Sequence, residues 1–391
     1  MTDGLDGADL PAGERPVVAV VGGGIAGLAA AWELVSGPGP APVVHVLEAG
    51  SRVGGKLRSA EFAGRTVDLA ADAFLARRPE ATALCHELGL DDQLVPVGAT
   101  GAGLWARGAL RAMPEGLSLG IPTRWLPLAR SGILSPAGAL RAGLDLVRPH
   151  RAATDGPPDR SVGEIVTRRL GRQVTERLAD PLIGGIHAGS ADGLSAAATF
   201  PPLLAADRQR GSLMRRLGRP PTPGQQPTGP APDPSGPPSP MFWSLDGGTA
   251  RLAAELADAV AARGGVVHTG VAVESLAAAP PGSPRWELAL AGRHDVPGAR
   301  PSPDGAAVLA VDGVVLAVPA GQAAGLLAPH APGAAALLGS LDYASVAVLT
   351  LAFPAGAVRS PLVGTGFLVP RTSEVRGRRA LVTGCTYLSR K

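Results

Sequence analysis

Val17 to Val21 is an unbroken apolar run that stops at a glycine cluster, as expected of a strand covered on both faces of a parallel sheet. Beyond the glycines the spacing changes, and Leu28, Trp32 and Val35 share one face of a helix over Ile25 to Val35. The Pro/Gly segment Gly37 to Pro42 breaks that helix ahead of a second strand, Val43 to Leu47. Leu84 and Leu88 place a helix over Pro79 to Leu88, with Gly89 where a left-handed cap is wanted. Gly103 to His150, rich in Leu, Arg, Pro and Gly, reads as a loop-broken helical region. Asp155 to Arg160 reads as a turn, and Val162 to Leu178 as a helix ending before Pro181. Ala250 to Ala262 carries Leu252, Leu256 and Val260 on one helical stripe, Gly264 and Gly265 end it, and Val266 to His268 begins a strand. Val308 to Val311 and Val314 to Val318 are short strands around an Asp312-Gly313 turn signal. Val346 to Phe353, Gly366 to Val369 and Ala380 to Thr383 are further strand-like runs.

Helical and strand patterns interleave, so the chain is α/β, and its 391 residues call for two or three domains around separate cores. Hydrophobic residues make up 45% but aromatics only 3%, so those cores are built from Ala, Leu and Val. Gly218 to Pro240 holds ten prolines and too little apolar surface to offset its ordering entropy, which predicts a disordered insertion. A net charge of +3 is too small for a dedicated nucleic-acid binder, and no nucleic-acid partner is expected. Nearly all the positive charge is Arg, with Lys56 and Lys391 the only lysines. Cys85 and Cys385 fit neither a disulfide scaffold nor a metal-ligand spacing, so no metal is expected and a reducing, cytoplasmic setting is. The first sixteen residues are acidic, lack the basic start and apolar run of a secretion signal, and read as a flexible tail. Val17 to Val35 is long and apolar, but four glycines and Glu33 make it a soluble strand-turn-helix rather than a membrane span.

That strand-turn-helix carries the chemistry. Gly22-Gly23-Gly24-Ile25-Ala26-Gly27 is a GxGxxG with a strand before it and a helix after it. Gly22 permits the tight turn, Gly24 has no side chain to block a pyrophosphate, and Gly27 lets helix and strand pack closely. A diphosphate would lie on unpaired amides at the helix N-terminus. Glu48 ends the second strand, 21 residues after Gly27, where a carboxylate accepts from ribose hydroxyls and repels the 2'-phosphate of NADP.

The choice among dinucleotides comes from a resemblance. Glu48-Ala49-Gly50-Ser51-Arg52-Val53-Gly54-Gly55-Lys56, followed by Leu57, resembles the ExxxRxGG(R/K) extension of two-dinucleotide-binding-domain flavoproteins such as amine oxidases, phytoene desaturases and protoporphyrinogen oxidases. The resemblance implies FAD, with Gly22, Gly23, Gly24, Ala26, Gly27, Glu48, Ala49, Arg52, Gly54, Gly55, Lys56 and Leu57 around it. Four further matches follow in order: Val67 to Glu80 with Glu87-Leu88-Gly89-Leu90; Asp180 to Gly189 with Leu194-Ser195; Phe242 to Gly248; and Val273-Glu274-Ser275-Leu276 with Val314 to Pro319. Together they resemble the bacterial protoporphyrinogen and coproporphyrinogen III oxidases, in which the backbone at the position of Val273 meets the adenine.

The resemblance implies a Rossmann-like FAD-binding domain with an α+β substrate domain and a helical subdomain. The FAD-binding domain would take residues 1–70 and 241–320, and the substrate domain residues 71–100, 185–217 and 321–391. The helical subdomain would take residues 101–184 and the insertion residues 218–240. The activity implied is oxidation of a porphyrinogen to the porphyrin, with dioxygen as acceptor and hydrogen peroxide as product. The cofactor would carry the hard chemistry, so no catalytic side chain is nominated. Arg78 first and Arg77 second would hold the substrate's propionates, and His187 would orient it. A peripheral membrane contact at Trp125 is the alternative to its packing in a core. The sequence departs from the family at Ala70, where a glycine is common, and at His187, where an aromatic is frequent. It also stops at Lys391 inside what resembles a substrate-domain strand, so a truncated gene is expected. An amine oxidase or carotenoid desaturase, and a non-catalytic remnant that binds tetrapyrrole or nucleotide, are the competing readings.

Overall fold

The computed structural model describes residues 15–97, 101–148, 159–219, 240–279, 285–292, 295–302, 307–354, 356–358, 362 and 364–390. Most of the expected tail at 1–16, of the turn at 155–160 and of the insertion at 218–240 lies outside the described residues. The described residues form two compact units, one of residues 15–97 and 240–343, the other of 101–219 and 344–390.

The first unit is built on β1 (Val17–Val21), α1 (Ile25–Ser36), β2 (Val43–Glu48), α2 (Pro79–Glu87), α3 (Ala250–Ala262) and β3 (Val266–Thr269). It continues through β4 (Val271–Ala278), β5 (Trp286–Gly292), β6 (Ala307–Val311), β7 (Gly313–Leu316) and α4 (Ala320–Leu327). A parallel sheet runs in the order β3-β2-β1-β7, with Val20 opposite Val46 on one side and Val315 on the other. Along β1 the side chains alternate. Val20 joins Leu28, Ala31, Trp32 and Val35 of α1 and Ala253, Leu256 and Val260 of α3 in one core. Ala19 and Val21 join Leu47 and the antiparallel sheet β4-β5-β6, through Leu288, Leu290, Leu309 and Val311, in a second. Both faces are covered, which is why β1 reads as an unbroken apolar run.

α2 ends as the sequence predicts. Gly89 has φ 69°, its amide donates to His86, and Leu90 donates to the Cys85 carbonyl at 2.8 Å, closing the helix with a left-handed residue. The Asp312-Gly313 signal, by contrast, is no hairpin turn. β6 and β7 belong to different sheets, and Asp312 carries the chain between them by exchanging bonds with Val17, amide to carbonyl and carboxylate to amide, both at 2.8 Å.

The second unit holds a larger apolar core that includes Leu104, Ile121, Ile165, Leu170, Leu178, Ile183, Leu203 and Leu213. Its first twenty residues correct the helical reading of Gly103 to His150. Gly103–Ala106 and Ala109–Ala112 form a hairpin, and Leu117–Ser118 pairs with Ile121–Pro122 before helix begins at Trp125. The first hairpin turns at Arg107 and Gly108, φ 54° and 76°, a two-residue turn that needs a left-handed backbone at both positions. The helix predicted to stop before Pro181 instead breaks at Gly171, φ 97°, after Val162–Leu170. It then resumes as a short α-helical turn, Arg172–Val174, and widens into π turns over Thr175–Gly184, with Pro181 inside. Leu178, Ala179 and Ile183 of that stretch are fully buried, so packing holds the irregular turns together. Gly366–Leu368 is a strand as expected, but Val346 to Phe353 and Ala380 to Thr383 are not. Among the described residues Val346 to Phe353 has no ladder partner, and Leu349 is 81% exposed, while the second run is tied only at its ends, Ala380 donating to Ser373 and Thr383 accepting from Val369, both at 2.9 Å.

Among the described residues no helix is long and apolar enough to cross a membrane. Trp125 packs against the core of the second unit, with its indole N–H donating to the Ala139 carbonyl at 2.9 Å.

Candidate functional site

The glycine cluster sits at the C-terminal end of β1, the edge of an open parallel sheet where ligands collect. Gly22 has φ 108°, and a Cβ there would meet the Ala317 carbonyl oxygen at 2.7 Å, so a side chain is barred by backbone on both counts. A Cβ on Gly27 would stand 1.9 Å from the Gly22 carbonyl oxygen, so α1 can approach its own turn only with glycine there. At Gly24 the reverse holds, since an added Cβ would meet nothing within 4 Å. The turn is thus closed on the protein side and open on the other. The amides of Gly24, Ala26 and Gly27 find no acceptor among the described residues. They are the unpaired donors of a helix start, in the place where a diphosphate needs them.

Glu48 anchors this turn from the neighbouring strand. Its Oε2 accepts from the Gly23 amide at 2.8 Å and its Oε1 from the Gly50 amide at 2.7 Å. Each oxygen keeps a further lone pair for a ribose hydroxyl. Ala49 is exposed beside it. The loop that follows folds over the turn: Gly54 donates to the Gly23 carbonyl at 2.8 Å, and a Cβ on Gly55 would lie 3.2 Å from the Cα of Gly24. Arg52 shapes that loop from within, donating to the carbonyls of Val53 and Gly55 at 3.0 and 2.9 Å. Leu57 packs its side chain into the cores beneath. Lys56 is exposed, its ammonium 5.9 Å from the centroid of the Tyr343 ring. Val273 lies on β4 at an irregularity in the ladder, half-buried against the core that contains Leu47.

Arg77 and Arg78 are both exposed in the first unit, Arg78 at the start of α2, and neither has a carboxylate within 4.0 Å among the described residues. His187 stands in the second unit just past the π turns, exposed, with its amide bonded to the Ile183 carbonyl. The next residue, Ala188, has φ 51°, a left-handed conformation rare for alanine. The acid behind this loop was not singled out in the sequence. Asp180 is buried, accepts from the Ala191 amide at 2.8 Å and lies 3.6 Å from Arg371, so it fastens the two ends of the Asp180 to Gly189 motif. Asp68 plays a similar part in the first unit. Its Oδ1 accepts from Ser59, from the Thr249 amide at 2.9 Å and from the Thr249 hydroxyl at 3.0 Å, joining the Val67 to Glu80 segment to the start of α3. Among the described residues no group of three or more His, Cys, Asp or Glu side chains could hold a metal ion.

The arrangement fits a dinucleotide: open space at Gly24, amides with no acceptor among the described residues, a carboxylate at the end of the second strand bonded to the turn, and the exposed Lys56 on the covering loop. Over 403 residues the chain is 34% identical to coproporphyrinogen III oxidase of Propionibacterium freudenreichii subsp. freudenreichii, a match covering 97% of this chain and 72% of the relative. Over 384 residues it is 32% identical to coproporphyrinogen III oxidase of Bacillus subtilis (strain 168), covering 97% and 74%. A crystal structure from Exiguobacterium sp. 255-15, whose name places it with the protoporphyrinogen oxidases, superposes with a TM-score of 0.71 at 26% identity, over 96% of this chain and 73% of that one. Residues 25–387 match the family described as flavin containing amine oxidoreductase. The chain belongs to that family of oxidoreductases, whose cofactor is a flavin.

Proposed function

We propose that the chain is an FAD-dependent oxidase that converts a porphyrinogen to its porphyrin in heme biosynthesis. The observation that carries this reading is the match, across 97% of the chain, to relatives named for coproporphyrinogen III. The nucleotide site supports it. The Gly24, Ala26 and Gly27 amides would hold the diphosphate of FAD, Glu48 its ribose, and the Val273 backbone its adenine, with Lys56 adding positive charge. Gly22, Gly23, Arg52, Gly54 and Gly55 would keep turn and loop in register, and Leu57 and Ala49 would complete the wall. When bound, FAD supplies the two-electron acceptor for each of three dehydrogenations and passes the electrons to dioxygen. The balance is six hydrogens removed from the porphyrinogen, three dioxygen molecules reduced and three hydrogen peroxide molecules released. The protein's own part is to hold a large anionic tetrapyrrole. Arg78 and Arg77, exposed and with no carboxylate within 4.0 Å among the described residues, would present guanidinium forks suited to propionates.

Chemically reduced coproporphyrinogen III and protoporphyrinogen IX, offered separately to FAD-loaded protein, test this directly. Porphyrin fluorescence should rise with at least one of them, with one hydrogen peroxide formed per two electrons removed. A loaded protein that raises the fluorescence of neither substrate would refute the oxidase reading.

A further inference from the structure

Pro319 stands at the start of α4 and has no side-chain oxygen to cap the first amide of the helix. Tyr343 does so instead: its hydroxyl oxygen accepts at 3.0 Å from the amide of Ala320, 23 residues earlier in the chain. The same ring lies beneath Lys56, whose ammonium is 5.9 Å from the ring centroid, within the range of a cation-π contact. These two attachments touch opposite flanks of the nucleotide turn. On one flank, Ala317 donates to the Val21 carbonyl and its own carbonyl closes over Gly22. On the other, Lys56 follows the Gly54-Gly55 pair that lies against Gly23 and Gly24. Lys56 has no carboxylate within 4.0 Å among the described residues, so the ring is what orients its flexible stem.

We propose that Tyr343 is a positioning residue for the dinucleotide: its ring holds the Lys56 ammonium at the glycine turn, so that the cation meets an anionic cofactor already oriented. The proposal rests on the reading of this turn as a flavin nucleotide site. Preorganising a long side chain lowers the ordering cost of binding, which is where the gain in affinity arises.

FAD binding, followed by quenching of flavin fluorescence, is compared in wild type, Tyr343→Phe, Tyr343→Leu, Lys56→Gln and the Tyr343→Leu/Lys56→Gln double variant. Tyr343→Phe keeps the ring and should bind FAD within about twofold of wild type, whereas Tyr343→Leu should bind about fivefold more weakly, the size of a partly exposed cation-π contact. In the Lys56→Gln background Tyr343→Leu should cost nothing further. An equal loss in both backgrounds, or a Tyr343→Phe as weak as Tyr343→Leu, overturns the proposal while leaving the flavin site standing. Cofactor-free protein gives a second readout, because Lys56 and Lys391 are the only lysines. Acetic anhydride should modify Lys56 more slowly in wild type and Tyr343→Phe than in Tyr343→Leu, with Lys391 as the internal reference. Equal Lys56 rates in all three overturn the contact itself. A folded wild-type chain that takes up no FAD overturns the site reading and this proposal together.

Discussion

The two units solve the problem of holding polar groups in opposite ways. In the first, the glycine turn works through backbone: amides at Gly24, Ala26 and Gly27 find no acceptor among the described residues, and Glu48, which takes the neighbouring Gly23 amide, is half-buried at the edge of solvent. In the second, the charges are inside. Arg169 donates to Asp145 at 2.9 Å and to Asp207 at 3.3 Å, and all three side chains are almost wholly buried. Asp145 also takes the Ser212 hydroxyl at 2.7 Å and the Met214 amide at 3.0 Å, while Arg168 and Arg160 close on Asp207. The turn's donors have no acceptor among the described residues and are available to a ligand, whereas each of the three nitrogens of the Arg169 guanidinium is already bonded to a protein oxygen. One arrangement is a receptor, and the other is a clasp for a helical core.

Breaking the clasp gives the largest effect. Arg169→Ala leaves the buried Asp145 carboxylate without its cation, while Asp207 keeps Arg168 and Arg160, a change that costs about 3–5 kcal/mol. The urea midpoint of the chain should fall accordingly. At denaturant-free conditions where the variant remains folded, FAD uptake should persist, because none of the turn's partners is touched. A variant with unchanged stability would show that the cluster is not the clasp described here.

Gly27→Ala makes the converse break. Its Cβ would press on the Gly22 carbonyl oxygen at 1.9 Å, a backbone atom that cannot swing aside, and α1 must back away. Such overpacking costs about 1–3 kcal/mol, less than the loss of Arg169, yet it displaces the amides that a diphosphate uses. Flavin absorbance of the purified protein should therefore disappear while the helical core melts nearly as in wild type. Retention of flavin by Gly27→Ala would show that the turn tolerates displacement.

The difference between the two arrangements also explains how much of each was legible in the sequence. The turn was legible because its parts are local: strand, three spaced glycines and helix lie within twenty residues, and the Glu48 to Lys56 extension follows at once. The clasp was not, because Asp145, Arg169, Asp207 and Ser212 come from four separate segments and are ordinary residues in an Arg-rich chain. The Gly103–Ala106 and Ala109–Ala112 hairpin escaped notice for another reason. Four-residue strands are too short to show alternation, and the turn uses Arg107-Gly108 rather than the usual Asn-Gly. Val346 to Phe353 erred the other way: the pattern of a strand was present, but a strand is a strand only when a neighbour takes its backbone bonds. Tyr343 carried no signal, since it acts by touching Lys56 and Ala320 from far along the chain.

A pair of histidines in the first unit, one buried and one half-buried, makes its own stability depend on pH. His45 and His268, on adjacent strands, stack with ring centroids 5.4 Å apart and share a hydrogen bond of 3.1 Å. Burial lowers the pKa of both; for His45 its partner lowers it further, and for His268 the Asp295 carboxylate partly opposes the shift. A depressed folded value means that the unfolded chain takes up protons first. The stabilisation is complete above the ordinary imidazole value of about 6.5, is lost as the pH falls from there through the depressed folded values, and levels off below them. Urea midpoints should decline across that interval in wild type, and the decline should flatten in His45→Gln. An identical pH profile in the variant would rule the pair out as the cause.

The smallest effect sharpens the comparison by holding chemistry constant and changing only burial. Arg251 and Glu255 form an ion pair at 3.5 Å, one turn apart on α3, with their side chains 39% and 42% exposed. It joins the same two groups, guanidinium and carboxylate, that build the clasp. In water, though, neither partner has been stripped of its solvation, so removing one leaves nothing stranded. Arg251→Ala should lower stability by only about 0.3–0.5 kcal/mol, and the loss should shrink further at high salt, where exposed charges are screened. The Arg169→Ala deficit should survive the same salt. Were the two variants to respond to salt alike, the difference between the units would lie in something other than the burial of charge.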